Sequence, residues 1–221
     1  MGDNVAALLR LMLVTDDALV QGRDLVALAV AAERGGATSV QLRLKHADPR
    51  ELAVAVRALR QALAVPVLVN DRADVAIAAG AAGVHLGPDD APVNLVRRIA
   101  PAGFVIGASV GNPSEALSAR PADYWGVGPW RETGTKHDAG QGLGPAGFRG
   151  IVDLAAGKPC VAIGGVRPED LAAVLEAGGR GVAVVSGILA AEDVESAARR
   201  YSDAALAARA RLAPPDLPYR Q

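Results

Sequence analysis

The chain has 221 residues, of which 51% are hydrophobic, and its formal net charge at neutral pH is −1. This near-neutral balance excludes the basic surface that binding to nucleic acid or to an anionic membrane needs, and no apolar run approaches the ~20 residues of a membrane span. The single cysteine, Cys160, excludes an internal disulfide framework and a cysteine-based zinc site. Since the N-terminus also lacks a basic region followed by a hydrophobic segment, we expect a cytoplasmic protein.

Short β-rich runs alternate with alanine-rich helical stretches along the chain. The predicted strands, in order, are Leu11–Thr15, Ser39–Leu44, Pro66–Asn70, Gly83–Leu86, Phe104–Ser109, Tyr124–Gly128, Pro159–Ile163 and Gly181–Val185. The predicted helices are Asp24–Glu33, Pro49–Ala64, Ala73–Ala79, Val93–Ile99, Pro113–Ala119, Pro145–Ala155, Pro168–Glu176 and Asp193–Arg211.

The predicted strands are continuous apolar runs, as expected of a parallel sheet that is covered by helices. Eight strand–helix units predict an α/β fold, namely a single (βα)8 barrel of the TIM type that spans residues 1–221. An open doubly wound sheet is the alternative, although no GxGxxG motif follows the first strand. The proline-rich tail at 212–221 is expected to fray.

In a barrel of this type the chemistry takes place at the carboxyl ends of the strands. The polar residues that follow the predicted strands are Thr15, Arg43, Lys45, Asn70, Asp71, Asp89, Asp90, Ser109, the loop 128–138, Gly164, Gly165 and Ser186. One rim of the barrel is therefore predicted to collect nearly every unusual polar residue of the chain.

The second predicted strand ends in the sequence QLRLK, in which Gln41, Arg43 and Lys45 alternate with leucines. The two-residue period of a strand places these three side chains on one face. Arginine can bind a phosphate through two hydrogen bonds and lysine acts as a point charge, so the pattern indicates an anion site. The alternative is an exposed strand end without a ligand.

Asp71 and Asp90 follow the third and fourth predicted strands. Because adjacent parallel strands lie ~4.8 Å apart, the two carboxylates can share one ion. Mg²⁺ is typically bound by one or two carboxylates together with phosphate and water, so this pair indicates a magnesium site. The alternatives are a helix N-cap for Asp71 and a solvated turn for Asp89 and Asp90.

Two glycine-containing segments are candidates for phosphate binding. Thr133, Gly134, Thr135 and Lys136 supply hydroxyls, backbone amides and an ammonium group within four residues, with a plain glycine-rich loop as the alternative. The runs VAIGGV and VVSGIL, at the seventh and eighth predicted strands, are typical of the phosphate site of such barrels.

The sequence contains no Ser/His/Asp arrangement and no Cys/His pair of the kind that forms a protein nucleophile. His85 lies within a short apolar strand, where a hydrogen-bonded structural histidine is favoured over a metal ligand. The sequence therefore indicates no protein nucleophile.

Taken together, the motifs resemble those of the thiamine phosphate synthase family. They are QLRLK, VPVLVNDRADVAIAAGAAGVHLGPDD, IGASV, ADYWGVGPWRETGTKHD, VAIGGV and GVAVVSGIL, and they cover residues 11 to 189. The resemblance implies a Mg²⁺-dependent transferase on a βα barrel. Its substrates would be 4-amino-2-methyl-5-(diphosphooxymethyl)pyrimidine and 4-methyl-5-(2-phosphooxyethyl)thiazole, and its products thiamine phosphate and pyrophosphate.

The resemblance also implies roles for individual residues. The pyrimidine diphosphate would be bound by Gln41, Leu42, Arg43, Leu44, Lys45, Asn70, Ser109 and Lys136, of which Arg43, Lys45, Ser109 and Lys136 would be catalytic. The thiazole phosphate would be bound by Thr133, Gly134, Thr135, Gly165, Val185 and Ser186. Mg²⁺ would be bound by Asp71 and Asp90.

The chain departs from the family pattern at two places. Pro88 and Asp89 stand where the family usually has a glutamine and a variable residue before Asp90, and the loop carries charged Arg131 and Glu132. The alternative functions are a thiazole tautomerase or related isomerase, and a non-catalytic binder of a phosphorylated ligand. The intact Asn70-Asp71 pair and Thr133–Lys136 loop favour the synthase. Closure of the loop 134–144 over substrate is expected from its glycines, and self-association into a homo-oligomer is left open.

Overall fold

A computed structural model describes residues 2–132 and 141–212 of the chain. Within these residues, eight parallel strands close into a barrel in chain order, and the last strand pairs with the first. The strands are β1 Leu11–Val14, β2 Ser39–Leu42, β3 Val67–Asn70, β4 Gly83–Leu86, β5 Val105–Val110, β6 Tyr124–Val127, β7 Cys160–Ile163 and β8 Gly181–Val184. The predicted TIM-type barrel and all eight predicted strands are confirmed.

Helices cover the outer face of the barrel. They are α1 Gly2–Leu8, α2 Asp17–Val20, α3 Leu25–Arg34, α4 Pro49–Ala62, α5 Ala73–Ala78, α6 Val93–Ile99, α7 Gly144–Leu154, α8 Leu171–Glu176, α9 Ser186–Leu189 and α10 Val194–Leu212, with a 3₁₀ turn at Pro168–Asp170. Local chemistry sets their starts: the Asp48 side chain accepts hydrogen bonds from the first turn of α4, and Glu51 accepts one from the Asp48 amide.

One predicted helix is wrong, because residues 113–119 run as consecutive turns. The Asn112 side chain accepts a hydrogen bond from the Ser114 amide at 3.0 Å, and the Glu115 carboxylate accepts one from the Gly111 amide at 2.6 Å. These local bonds compete with helical ones, and Pro121 follows closely enough to stop a helix from extending.

Three short helices were not predicted, namely α1, α2 and α9, because segments of four to seven residues carry too little periodic signal. The second strand also ends earlier than predicted, at Leu42 rather than Leu44. Arg43 and Lys45 therefore lie beyond the strand, and their positions depend on contacts with the loop that follows β1.

The barrel interior is packed by side chains that point inward from the strands, among them Met12, Leu68 and Val161, together with Leu9 from the turn before β1. The Leu8 carbonyl accepts hydrogen bonds from the hydroxyls of Thr38 and Ser39 at the start of β2. The amino-terminal segment thus closes the end of the barrel at which the strands begin, so the cavity described below opens at the opposite end.

The described part of the chain contains no helix that is long and apolar enough to cross a bilayer. The longest described helix, α10, has 19 residues and carries arginines along its length.

Candidate active site

A cavity of about 590 Å³ lies at the carboxyl ends of the strands. Its lining includes most of the residues that the sequence singled out, namely Gln41, Arg43, Lys45, Asn70, Asp71, Asp90, Ser109, Gly165, Val185 and Ser186. The side chains of Leu42 and Leu44 pack into the outer core instead. Thr133, Gly134, Thr135 and Lys136 lie outside the described residues, as does most of the predicted mobile loop.

The positive side of the cavity is formed by Arg43 and Lys45, which we term the cationic pair. The Arg43 amide donates to the Thr15 hydroxyl at 2.8 Å, and the Thr15 hydroxyl donates to the Arg43 carbonyl at 3.1 Å. The Arg43 guanidinium donates to the Asp16 carboxylate at 3.0 Å, while the Lys45 amide donates to Asp17 at 2.8 Å. The loop after β1 therefore fixes the cationic pair.

Sequence reasoning missed Asp16 and Asp17. Two acids directly after a buried strand and next to the predicted anion site were the available signal. Both partners of the ion pair between Arg43 and Asp16 have side chains less than one-fifth exposed, so the guanidinium keeps its direction without a ligand.

The negative side of the cavity is formed by Asp71 and Asp90, which we term the carboxylate pair. Asp71 lies directly after β3 with a left-handed φ of 65°, and its amide donates to the His85 carbonyl at 2.8 Å. Asp90 accepts a hydrogen bond from the Gly87 amide at 2.6 Å. Two adjacent strands thus bring the two carboxyl groups together, as predicted.

The N-cap alternative for Asp71 does not hold, whereas Asp89 lies in an exposed turn, as its alternative stated. The N-cap of α5 is Arg72, which makes no side-chain capping bond, so Asp71 does not cap the helix. The Asp90 carboxylate is half-buried and accepts a hydrogen bond from the Gly87 amide, whereas its neighbour Asp89 is exposed.

The environment of Asp71 is electrostatically unusual. Burial and a hydrogen bond with the Asp90 carboxyl raise the pKa of Asp71 to about 6, with a further contribution from the Asp90 charge, although Lys45 and Arg43 oppose the shift. The Lys45 ammonium lies 3.9 Å from an Asp71 oxygen. Within residues 2–132 and 141–212, no third histidine, cysteine or acid joins this pair in a metal-binding cluster.

On the far side of the cavity, the loop after β7 faces the start of α9. Gly164 and Gly165 both have left-handed φ angles, 90° and 66°, which places successive amides in the arrangement that binds anions. Tyr201 of α10 donates its hydroxyl hydrogen to the Val166 carbonyl at 2.9 Å, and a Cβ added at Gly187 would lie 2.2 Å from the same hydroxyl. Tyr201 therefore contacts both the loop after β7 and the helix α9.

A partly buried ion pair that the sequence did not indicate supports the same loop. The Arg131 amide donates to the Gly164 carbonyl at 2.9 Å, and its guanidinium forms two hydrogen bonds with Asp170, one of them at 2.7 Å. Although burial alone would raise it, the pKa of Asp170 is held below its usual value by Arg131 and by the Arg167 amide. The charged departure from the family pattern at Arg131 thus has a partner in this chain.

A second network lies beneath the cavity, inside the barrel. His85 Nδ1 is 3.0 Å from the Tyr124 hydroxyl oxygen, and His85 Nε2 is 3.0 Å from the Ser109 hydroxyl oxygen. The predicted hydrogen-bonded structural histidine is confirmed, but one of its partners is a candidate substrate-binding residue.

Comparisons with known proteins agree with this geometry. The sequence profile of a family described as thiamine monophosphate synthase matches residues 11–188. A thiamine-phosphate synthase from Xanthobacter autotrophicus is 49% identical over 206 residues, which are 91% of this chain and 97% of that protein. The corresponding enzyme from Methanoculleus marisnigri is 46% identical over 205 residues, which are 90% of this chain and 97% of that protein.

Among solved structures, a thiamine phosphate pyrophosphorylase from Pyrococcus furiosus aligns with a TM-score of 0.84 at 38% identity. The alignment covers 93% of this chain and 99% of that one.

Proposed function

The chain belongs to the thiamine monophosphate synthase family, and from this premise we propose how its cavity carries out the reaction. It is a transferase of thiamine biosynthesis that joins a pyrimidine methyl diphosphate to a thiazole phosphate, releasing pyrophosphate. The observation that carries this conclusion is the match of the family profile to residues 11–188, the span that contains the whole cavity rim.

The cationic pair is the proposed site of the diphosphate. Asp16 binds the Arg43 guanidinium, the Lys45 ammonium lies 3.9 Å from Asp71, and both cations act on the Asp71 charge. As the carbon–oxygen bond of the substrate breaks, its electron pair moves onto the diphosphate oxygen, where negative charge grows. Fixed positive charges that already point at this position stabilise the transition state without reorganisation.

Asp71 and Asp90 are the proposed ligands of Mg²⁺. Two carboxyl groups that share a half-buried site repel each other when both are ionised, and this repulsion helps to raise the pKa of Asp71. Hard oxygen ligands of this kind, with room for phosphate oxygens beside them, fit a magnesium ion. When bound, the ion would add positive charge at the leaving diphosphate.

The thiazole phosphate is proposed to occupy the opposite side of the cavity, at Gly165, Val185 and Ser186. Left-handed glycines and the first residue of α9 present backbone amides there. The ring nitrogen of the thiazole would then attack the methylene carbon with its lone pair as the diphosphate departs. No proton has to be removed from either substrate, so the proposed step needs no protein nucleophile.

The test is a pyrophosphate-release assay on the full-length chain with both substrates, with and without Mg²⁺. We expect release of one pyrophosphate per thiamine phosphate formed, and only with the metal present. Product formation without metal and without pyrophosphate would indicate an isomerase, and ligand-dependent thermal stabilisation without product would indicate a binding protein.

Both substrates are phosphorylated and do not cross membranes unaided, which supports a cytoplasmic location. The pyrimidine-binding role of Asn70 and the roles of Thr133, Gly134, Thr135 and Lys136 follow from the family pattern and remain part of the proposal.

A further inference from the structure

Three polar side chains inside the barrel form a continuous chain that leads from the core to the cavity. His85 on β4 is in register with Gly107 on β5, and Gly107 is in register with Tyr124 on β6. Ser109 lies two residues further along β5, beside Gly126. The chain of contacts therefore runs from Tyr124 through His85 to Ser109, which lines the cavity.

Two glycines make room for these rings. A Cβ added at Gly107 would lie 2.1 Å from the Tyr124 ring, and one added at Gly126 would lie 2.8 Å from His85 Cε1. The two rings tilt against each other at 35° with their centroids 5.5 Å apart. Tyr124 is fully buried and His85 is 7% exposed, so their hydrogen-bond directions are set by the protein rather than by solvent.

The direction of the hydrogen bonds follows from what each group can donate. Burial raises the pKa of Tyr124 far above its ordinary value, so the phenol keeps its proton. Gln41, whose amide nitrogen reaches Met12 Sδ at 3.4 Å, also hydrogen-bonds to the phenol, and this bond lowers the same pKa. When Gln41 donates to the phenol oxygen, His85 Nδ1 is the acceptor left for the phenol hydrogen.

We propose that Tyr124 and His85 act as positioning residues that hold the imidazole with its proton on Nε2, so that Ser109 accepts from His85 and donates its own hydrogen into the cavity. A hydroxyl with this orientation binds an oxygen that carries lone pairs and no hydrogen, which describes the diphosphate of the pyrimidine substrate. This inference rests on the proposed diphosphate site.

The opposite direction would have the opposite effect. If His85 donated from Nδ1 to Tyr124, Nε2 would accept from Ser109, and the serine would present lone pairs to an anionic ligand. The chain Tyr124–His85–Ser109, which we term the relay, thus converts a serine that could face either way into a fixed donor, and it begins at a fully buried tyrosine.

The tautomer is the direct readout. A long-range ¹H–¹⁵N correlation spectrum of the ligand-free, full-length protein, labelled at its three histidines, should show the proton of His85 on Nε2; a His85→Gln variant identifies the signal. In Tyr124→Phe the Nδ1 acceptor loses its donor, so we expect a mixture of tautomers. The matched control is Tyr201→Phe, which removes another buried tyrosine hydroxyl and should leave the His85 spectrum unchanged.

Kinetics test the role. Loss of one hydrogen-bond orientation should lower kcat/KM for the pyrimidine diphosphate about three- to tenfold in Tyr124→Phe, with KM for the thiazole phosphate unchanged. In a Ser109→Ala background the same substitution should have no further effect.

A proton on Nδ1 of His85 in the wild-type protein, an unchanged tautomer in Tyr124→Phe, or additive effects of the two substitutions would overturn the relay. These outcomes are distinguishable from failure of the proposed function. A protein that releases no pyrophosphate with both substrates and Mg²⁺ contradicts the function, whereas an active enzyme with the wrong tautomer contradicts only the relay.

Discussion

Asp71 combines three features at the scale of a single residue: a left-handed backbone, a second carboxyl group in contact, and an ammonium nearby. Aspartate adopts a positive φ more readily than most residues, so this backbone conformation costs little stability at Asp71. The consequence of the crowding is electrostatic, because it raises the pKa of Asp71 to about 6 in the ligand-free site.

This preference predicts a stability change that depends on pH. The pKa of Asp71 is about 6 in the folded protein and near 3.8 when unperturbed, so ionisation destabilises the metal-free fold as pH rises from about 4 to above 6. Asp71→Asn should therefore raise the free energy of unfolding by up to about 2 kcal/mol at pH 7.5, and by little at pH 4. Urea denaturation in EDTA at both pH values measures the change.

The matched control is Asp153→Asn, which alters an exposed acid on α7. It should give no such pH-dependent gain. Equal unfolding free energies for wild-type protein and Asp71→Asn at both pH values would contradict the crowding of the carboxylate pair.

Arg43 provides a second prediction, on activity. Arg43→Met removes a positive charge from the cavity lining, so kcat/KM for the pyrimidine diphosphate should fall by about two orders of magnitude or more. Steady-state pyrophosphate release measures the loss. The exposed Arg50 on α4 is the control, and an equal loss in Arg50→Met would show that the effect of Arg43 is not local.

The carboxylate pair could be predicted from sequence, because consecutive strands of a parallel barrel bring their carboxyl ends together whatever the side chains are. The partners of the cationic pair could not, since Asp16 and Asp17 lie next to or within a helix of four residues that carries no periodic signal. The hydrogen-bond partners of His85 depend on the register of β4, β5 and β6. This register decides which residues of neighbouring strands lie side by side, and it is set only when the barrel closes.

At the scale of elements, the loop after β7 owes its conformation to neighbours on three sides. Arg131 contacts it from the β6 side, Asp170 from the 3₁₀ turn, and Tyr201 from α10. Arg131 also leaves no space for a side chain at Gly165, because a Cβ added at Gly165 would lie 2.9 Å from the Cβ of Arg131. Arg131 is therefore part of the support of the proposed thiazole-phosphate side of the cavity.

Disruption of this support should affect one substrate only. Asp170→Asn retains an acceptor for the Arg167 amide but loses the charge that binds Arg131. We expect KM for the thiazole phosphate to rise about three- to tenfold while KM for the pyrimidine diphosphate stays the same. Initial rates with each substrate varied in turn provide the measurement.

Arg167→Met serves as the control, because Arg167 pairs only with exposed Glu169 at 3.9 Å among the described ion pairs. Equal increases in both KM values in Asp170→Asn would show a general loss of structure instead of a local effect.

Element boundaries show why some predictions succeeded and one failed. Helix α6 has the predicted bounds, Val93–Ile99, because an apolar stripe and Pro92 mark its start. Residues 113–119 also begin at a proline, yet Asn112 and Glu115 bind nearby backbone amides and hold the segment in turns. Composition favours a helix there, and side-chain hydrogen bonds decide otherwise.

At the scale of the whole molecule, the barrel is closed at one end by hydrophobic packing and open at the other for chemistry. Leu9 is fully buried among inward-facing side chains at the closed end, far along the strands from the cavity rim. Stability and activity are therefore separated along the barrel axis, as is usual in this architecture.

Leu9→Ala tests that separation. The substitution should lower the free energy of unfolding by about 2–5 kcal/mol, because it removes buried methyl groups and leaves a cavity. Activity per folded molecule should be unchanged at a temperature where the variant stays folded. Leu206→Ala, at a site on α10 that is 63% exposed, should change stability by less than about 0.5 kcal/mol. A large loss of kcat in folded Leu9→Ala would contradict the separation.

The most direct measurement is a crystal structure of the full-length chain grown with Mg²⁺ and pyrophosphate. The account predicts one ion at about 2.1 Å from oxygens of Asp71, Asp90 and the pyrophosphate, with Arg43 and Lys45 on the pyrophosphate's other oxygens. Carboxylates that point away from each other, or a pyrophosphate bound elsewhere without metal, would contradict it.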